Sequence, residues 1–142
     1  MSLLAILGSE VKEKPLVALV DDDESMLNAM KDVVGAEGFS AATFASAERL
    51  LRSKRLKDVW CLVTDMYLPA MTGLELHRHL VATNRLIPTV LISARPEERV
   101  REQALQANIA CYLAKPFRAE ELVACIRQAM QQPNIAKRAK YS

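Results

Sequence analysis

The chain has 142 residues, enough for one core of ordinary size with short extensions and too few for a second folded domain. Hydrophobic residues make up 51% and charged residues 25%, a balance that excludes a disordered segment, and no apolar run reaches the roughly 18 to 20 residues of a membrane span. The formal charge of +2 includes Lys137, Arg138 and Lys140 near the C-terminal end, so the body is close to neutral and a basic nucleic-acid footprint has little support.

Met1 to Leu7 is apolar but lacks a basic leading segment and a cleavage site, so it does not read as a signal peptide, and the cytoplasm is the expected compartment. Residues 1–14 are expected to be a tail. From Pro15 onward, short β-rich apolar runs alternate with stretches of helical period. Residues 16–20 predict the first strand, and Met26, Leu27, Met30, Val33 and Val34 recur at the spacing of a first helix, with Gly35 and Gly38 suited to stopping it. A short, Ala-rich second strand is expected at 41–44 and a second helix at 47–56. Residues 60–64 form the third apolar run; Gly73 then precedes a third helix marked by Leu74, Leu76, Leu80 and Val81, and Pro88 stands before a fourth strand at 89–92. Val100, Ala104 and Ala107 mark a weakly apolar fourth helix. A fifth strand at 111–114 leads to a helix whose stripe is Leu122, Cys125, Ile126 and Ala129, with Pro133 as its stop.

Five strands alternating with five helices predict an α/β protein with a flavodoxin-like, doubly wound, five-stranded parallel sheet in the order 2-1-3-4-5. The body is expected to span 15–132, with 133–142 as a C-terminal tail or linker stub. Cys61, Cys111 and Cys125 form no CxxC pair and are odd in number, so they are read as buried free thiols. His77 and His79, two residues apart on one helix, point to different faces and are read as surface histidines.

Functional groups of open α/β sheets gather beyond the carboxyl ends of the strands. Here the first run leads into Asp21, Asp22, Asp23 and Glu24, the third into Asp65, the fourth into Ser93, and the fifth into Lys115 and Pro116. Asp23 and Glu24 suit the N-cap and first turn of a helix, whereas Asp21 and Asp22 alone suit either capping or metal binding. Carboxylates converging on one edge repel one another, and a hard divalent cation such as magnesium relieves that repulsion. Asp65 ends the run Trp60-Cys61-Leu62-Val63-Thr64 and is followed by Met66-Tyr67-Leu68-Pro69, so an acid there is costly without a role. A carboxylate can act as nucleophile toward a phosphoryl group, with Lys115 supplying positive charge and Ser93 a hydroxyl.

The acidic pair in Leu19-Val20-Asp21-Asp22-Asp23-Glu24, the stretch from Val63 to Gly73 around Asp65, the pair Ser93-Ala94, and Ala114-Lys115-Pro116-Phe117 occur in the order and spacing of a known family. From Pro15 to Met130 the chain resembles the receiver domains of two-component response regulators, most closely those that precede helix-turn-helix transcription domains. The resemblance implies that Asp65 is the phosphoacceptor, and that Asp22 and Asp65 bind Mg2+ (or Mn2+) directly, Asp21 through water, and Tyr67 through its backbone carbonyl. It further implies that Ser93 is the switch hydroxyl, Ala94 the small residue beside it, Tyr112 the aromatic that follows it, and Lys115 the partner of the phosphoryl oxygens, with a cis bond to Pro116. Implied partners are a sensor histidine kinase or a histidine phosphotransfer protein, and a homodimer on phosphorylation; nucleic acid and membrane are not expected to bind this chain directly. The output domain, expected to bind DNA, lies outside it.

An enzyme reading, a magnesium-dependent phosphohydrolase with an Asp nucleophile, wants a second carboxylate where Tyr67 stands. An interaction reading, a receiver-like module that docks without phosphorylation, sits badly with Asp21, Asp22, Asp65, Ser93 and Lys115 all being present. A magnesium-dependent change in Trp60 fluorescence is the expected discriminator. A flavodoxin-like cofactor binder lacks a glycine-rich or hydroxyl-rich loop after the first strand.

Overall fold

A computed structural model describes residues 14–95 and 97–132. Its elements run β1 (Leu16–Val20), α1 (Glu24–Ala36), β2 (Ser40–Phe44), α2 (Ala47–Arg52), a single 3-10 turn (Leu56–Asp58), β3 (Val59–Asp65), α3 (Gly73–Ala82), β4 (Thr89–Ser93), α4 (Glu98–Gln106), β5 (Cys111–Ala114) and α5 (Ala119–Gln131). The strands form one parallel sheet in the order β2-β1-β3-β4-β5, the doubly wound arrangement that the alternation predicts.

Strand periodicity divides the core into two layers. Val17, Leu19, Cys61 and Val63 face α1 and α5, where Leu27, Met30, Leu122 and Ile126 cover them. Ala18, Val20 and Leu62 face the other way and pack with Leu50, Leu76 and Leu80. Every residue of β1 and β4 is buried, so these strands lack polar alternation and lie between two helical layers. The covering by α4 is thinner: of its own residues only Val100 and Ala104 are buried, while Leu105 is 69% exposed.

Several local expectations change. The second helix ends at Arg52, because Ser53 turns out of helical geometry and its hydroxyl accepts the Arg55 N–H; Leu56 belongs to the separate 3-10 turn. Gly35 lies inside α1, and Gly38, at φ +90°, makes the left-handed turn into β2. His77 is buried, not on the surface, and bridges Thr89 Oγ1 of β4 at 2.8 Å and the Ala107 carbonyl after α4 at 2.9 Å; His79 is exposed. Its spacing of three from both Leu74 and Leu80 puts it on the buried stripe. Cys111 and Cys125 are joined in a disulfide, so of the three thiols Cys61 alone is free. The tails expected at 1–14 and 133–142 lie outside the described residues except for Lys14, as do Pro133 and the basic cluster. No helix among the described residues is long and apolar enough to cross a membrane.

Candidate functional site at the carboxyl edge of the sheet

The ladder that holds the five strands in register also fixes what stands at their ends. The Asp21 N–H donates to the Phe44 carbonyl, Met66 N–H to the Ile92 carbonyl at 2.7 Å, and Lys115 N–H to the Ser93 carbonyl at 2.9 Å. Asp21, Asp65, Ser93 and Lys115 therefore come from four strands to one edge. Gly73 makes this possible, because a Cβ there would collide with the Asp65 carbonyl oxygen, Leu91 Cδ1 and Thr64 Cγ2. The start of α3 can lie against the end of β3 only without a side chain.

Asp21, Asp22 and Asp65 each present a carboxylate oxygen within 4.8 Å of the others. Asp21 is 2% exposed; its Oδ1 accepts the Asp23 N–H at 2.9 Å, and its Oδ2 is buried without a hydrogen-bond partner. Burial raises the Asp21 carboxyl above its ordinary pKa, against the pull of the Asp23 N–H and Lys115, and the charges of Asp65 and Asp22 add to the rise. Lys115 reaches into the cluster, its Nζ 3.1 Å from Asp65 Oδ1 and 3.7 Å from Asp21 Oδ2. Burial alone would lower its ammonium, but the hydrogen bond and charge of Asp65, with Asp21 behind, hold it above the ordinary lysine value. One ammonium facing three carboxylates leaves excess negative charge and, in Asp21 Oδ2, a buried hard oxygen that accepts no hydrogen bond, a donor set that fits a hard divalent cation.

Asp23 does what its position predicts, accepting the Ser25 and Met26 N–H groups as the cap of α1. Ser93 is fully buried, and its hydroxyl is turned into its own loop, donating to the Arg95 carbonyl and accepting the Arg95 N–H, both at 3.0 Å. Ala94 beside it is exposed. Tyr112 is half-buried under the Arg101 guanidinium, 5.0 Å from its ring centroid, and its buried hydroxyl has no hydrogen-bond partner. The Lys115–Pro116 peptide is cis.

Sequence reasoning missed two contacts around this edge. The exposed Tyr67 phenol donates to Glu97 Oε1 at 3.0 Å, tying the loop after β3 to the cap of α4, and Arg101 covers Tyr112. Nothing in the one-dimensional pattern pairs residues 30 positions apart. Trp60 is unsuited to the role expected of it. It stands five residues before Asp65 on β3, roughly 16 Å away along an extended strand, too far to feel a cation directly.

The comparisons with known proteins point to one family. The family profile described as "Response regulator receiver domain" matches residues 17–127. The chain is 32% identical over 116 residues to the response regulator protein TodT of Pseudomonas putida, covering 82% of this chain and 51% of that protein. It is 31% identical to the C4-dicarboxylate transport transcriptional regulatory protein DctD of Rhizobium meliloti, covering 85% of this chain and 26% of the relative. The solved structure of the response regulator StyR superposes with a TM-score of 0.80 at 34% identity, over 90% of this chain and 65% of that one. The chain thus spans about half the length of TodT and about a quarter of DctD. It belongs to the response-regulator receiver domain family of two-component signal transduction.

Proposed function

We propose that this chain is a phosphorylation-driven switch in which Asp65 takes a phosphoryl group from the phosphohistidine of a sensor histidine kinase or histidine phosphotransfer protein. The observation that carries the reading is the set of charges around Asp65: Lys115 Nζ at 3.1 Å, and carboxylate oxygens of Asp21 and Asp22 within 4.8 Å. A carboxylate oxygen of Asp65 attacks phosphorus, the P–N bond breaks, and the electron pair leaves with the imidazole, giving an acyl phosphate. Asp22 and Asp65, the Tyr67 carbonyl, and Asp21 through water would hold Mg2+ or Mn2+, which supplies charge neutralisation for the phosphoryl oxygens. Lys115, 3.1 Å from Asp65 Oδ1, orients and neutralises the same oxygens.

The new group adds about −1.5 to −2 charge and three acceptors. Ser93 then exchanges its Arg95 partners for a phosphoryl oxygen, Ala94 leaves room for the movement, and the Tyr112 hydroxyl, without a partner in this state, turns with it. The face of α4, β5 and α5 changes shape, and the sparsely anchored α4 is its most movable part. In this reading the unit is residues 15–132 and acts in the cytoplasm. In the same reading the switch face regulates a partner or a DNA-binding output domain. The phosphorylated form dimerises, and the domain is not a turnover enzyme beyond slow self-dephosphorylation. Tyr67, whose phenol is turned away to Glu97, fills the place where a phosphohydrolase needs an acid.

Incubation with a small-molecule phosphoryl donor and Mg2+, followed by intact mass spectrometry, tests the assignment. The expected result is one phosphoryl group per chain, acid-stable and base-labile, absent from Asp65→Asn. Equal uptake by Asp65→Asn, or uptake independent of divalent cations, overturns it.

A further inference from the structure

We propose that Cys111 and Cys125 form a redox modification site, a reversible cross-link that fastens α5 to β5 in response to disulfide oxidants. The two Cα atoms stand 5.7 Å apart, inside the usual range for a disulfide, and the residues are joined in this structure. The positions are not interchangeable. Cys125 sits in the buried stripe of α5 with Leu122, Ile126 and Ala129, whereas Cys111 on β5 is half-buried and the more exposed residue of the two, so the first attack on an external disulfide is assigned to it. Cys61 does not compete: it is fully buried, and burial pushes its thiol up to about 12, which leaves almost no thiolate at neutral pH.

The exchange balances with a small disulfide as oxidant. The Cys111 thiolate attacks RSSR and releases one RSH; the Cys125 thiolate then attacks the mixed disulfide at Cys111 and releases the second. Two electrons pass from the cysteine pair to RSSR, and both thiol protons end on the two RSH molecules. Disulfides in reducing compartments, where they occur, are generally transient and redox-responsive, which suits a pair with one half-buried member.

Location gives the link its consequence. Cys111 faces the layer of α1 and α5, while the next residue, Tyr112, faces the layer of α4. A bond from Cys111 to α5 therefore pins β5 from behind, at the residue beside the proposed switch aromatic. That consequence rests on the proposed function; the cross-link itself does not.

The test uses the whole unphosphorylated chain, equilibrated in glutathione buffers of graded reduced-to-oxidised ratio, quenched with an alkylating reagent and analysed by peptide mass spectrometry. Alkylation at Cys111 and Cys125 should disappear together in one transition reversed by reduced glutathione, with a linked peptide pair and Cys61 still a thiol. In parallel, amide exchange across residues 119–131 should slow on the order of tenfold in the oxidised form. Persistent alkylation of both cysteines at every ratio, or a glutathione adduct stalled on Cys111, overturns the proposal. So does oxidation that leaves exchange in α5 unchanged. Because the reduced wild-type chain is the control, no variant has to fold, and phosphoryl uptake is read in a separate assay.

Discussion

The ammonium of Lys115, from the end of β5, stands 3.1 Å from Asp65 Oδ1 at the end of β3, and two strands that are not neighbours in the sheet are thereby joined at its functional edge. This pair neutralises part of the acidic cluster while opposing the entry of a cation. In Lys115→Met the opposition is gone. At about 6 Å and an effective dielectric of about 20 an ammonium repels a doubly charged ion by about 5 to 6 kcal/mol, and solvent at a half-buried site screens most of this, leaving on the order of 1.4 kcal/mol. Isothermal titration with Mg2+ should therefore show about tenfold tighter binding than in the wild type. An unchanged affinity would mean that the ammonium lies outside the cation's field.

Gly73→Ala tests the packing that brings Asp65 to the site. The added methyl meets the Asp65 carbonyl oxygen, and backbone cannot escape by changing rotamer. Overpacking of this kind costs about 1 to 3 kcal/mol, and here it also displaces the phosphoacceptor candidate. Thermal melting should fall by several degrees and phosphoryl uptake should slow; a variant with wild-type melting would show that α3 can retreat freely.

The parts of the fold that could be read in advance share a physical cause. β1 and β3 are continuous apolar runs that end in acids, and such a boundary is visible in one dimension because burial and the strand end coincide there. Asp21 and Asp65 were legible for that reason. Gly35 and Gly38 could not be told apart, because only the backbone path shows which one carries the positive φ. The burial of His77 follows from its spacing of three from Leu74 and Leu80, a signal that its spacing of two from His79 does not carry. The Cys111 to Cys125 link and the contact of Tyr67 with Glu97 depend on how distant segments fold back, and residue type alone does not encode that.

His77 gives the domain a pH dependence of definite sign. Burial lowers its pKa below the ordinary value near 6.5, with the Ala107 carbonyl opposing and Arg78 adding to the fall. The unfolded chain therefore binds the proton more readily than the folded one. The stability contributed by neutral His77 is present above about 6.5 and is lost as pH falls through the lower folded value. Urea unfolding at about pH 7.5 and about pH 5.5 should show a larger acid-side loss for the wild type than for His77→Gln. Equal losses would remove His77 from the linkage.

Tyr67→Phe removes a hydrogen bond between two exposed groups, so its effect on global stability should stay below about 1 kcal/mol. Its local effect should be larger in proportion. Glu97 caps α4 without a side-chain bond to the helix, and Tyr67 anchors that residue to the loop after β3. Amide exchange at residues 98–101 should speed up while β3 and β4 stay protected. No change at the start of α4 would mean that Val100 and Ala104 alone hold it.

Ser93→Ala separates acceptance of the phosphoryl group from the response to it. In this state the hydroxyl closes a turn on both backbone groups of Arg95, and losing it should cost about 1 kcal/mol and loosen the loop before α4. Both of its hydrogen bonds go to Arg95, so under the proposed function the variant should still take up one phosphoryl group, with Lys115 and the acidic cluster intact. What should disappear is the phosphorylation-dependent change in amide exchange over α4, β5 and α5, because no hydroxyl remains to draw the loop inward. Intact mass and hydrogen exchange on the same sample read the two properties separately. A phosphorylated Ser93→Ala chain with the full wild-type exchange change would assign the relay to Lys115 and Tyr112 without the hydroxyl.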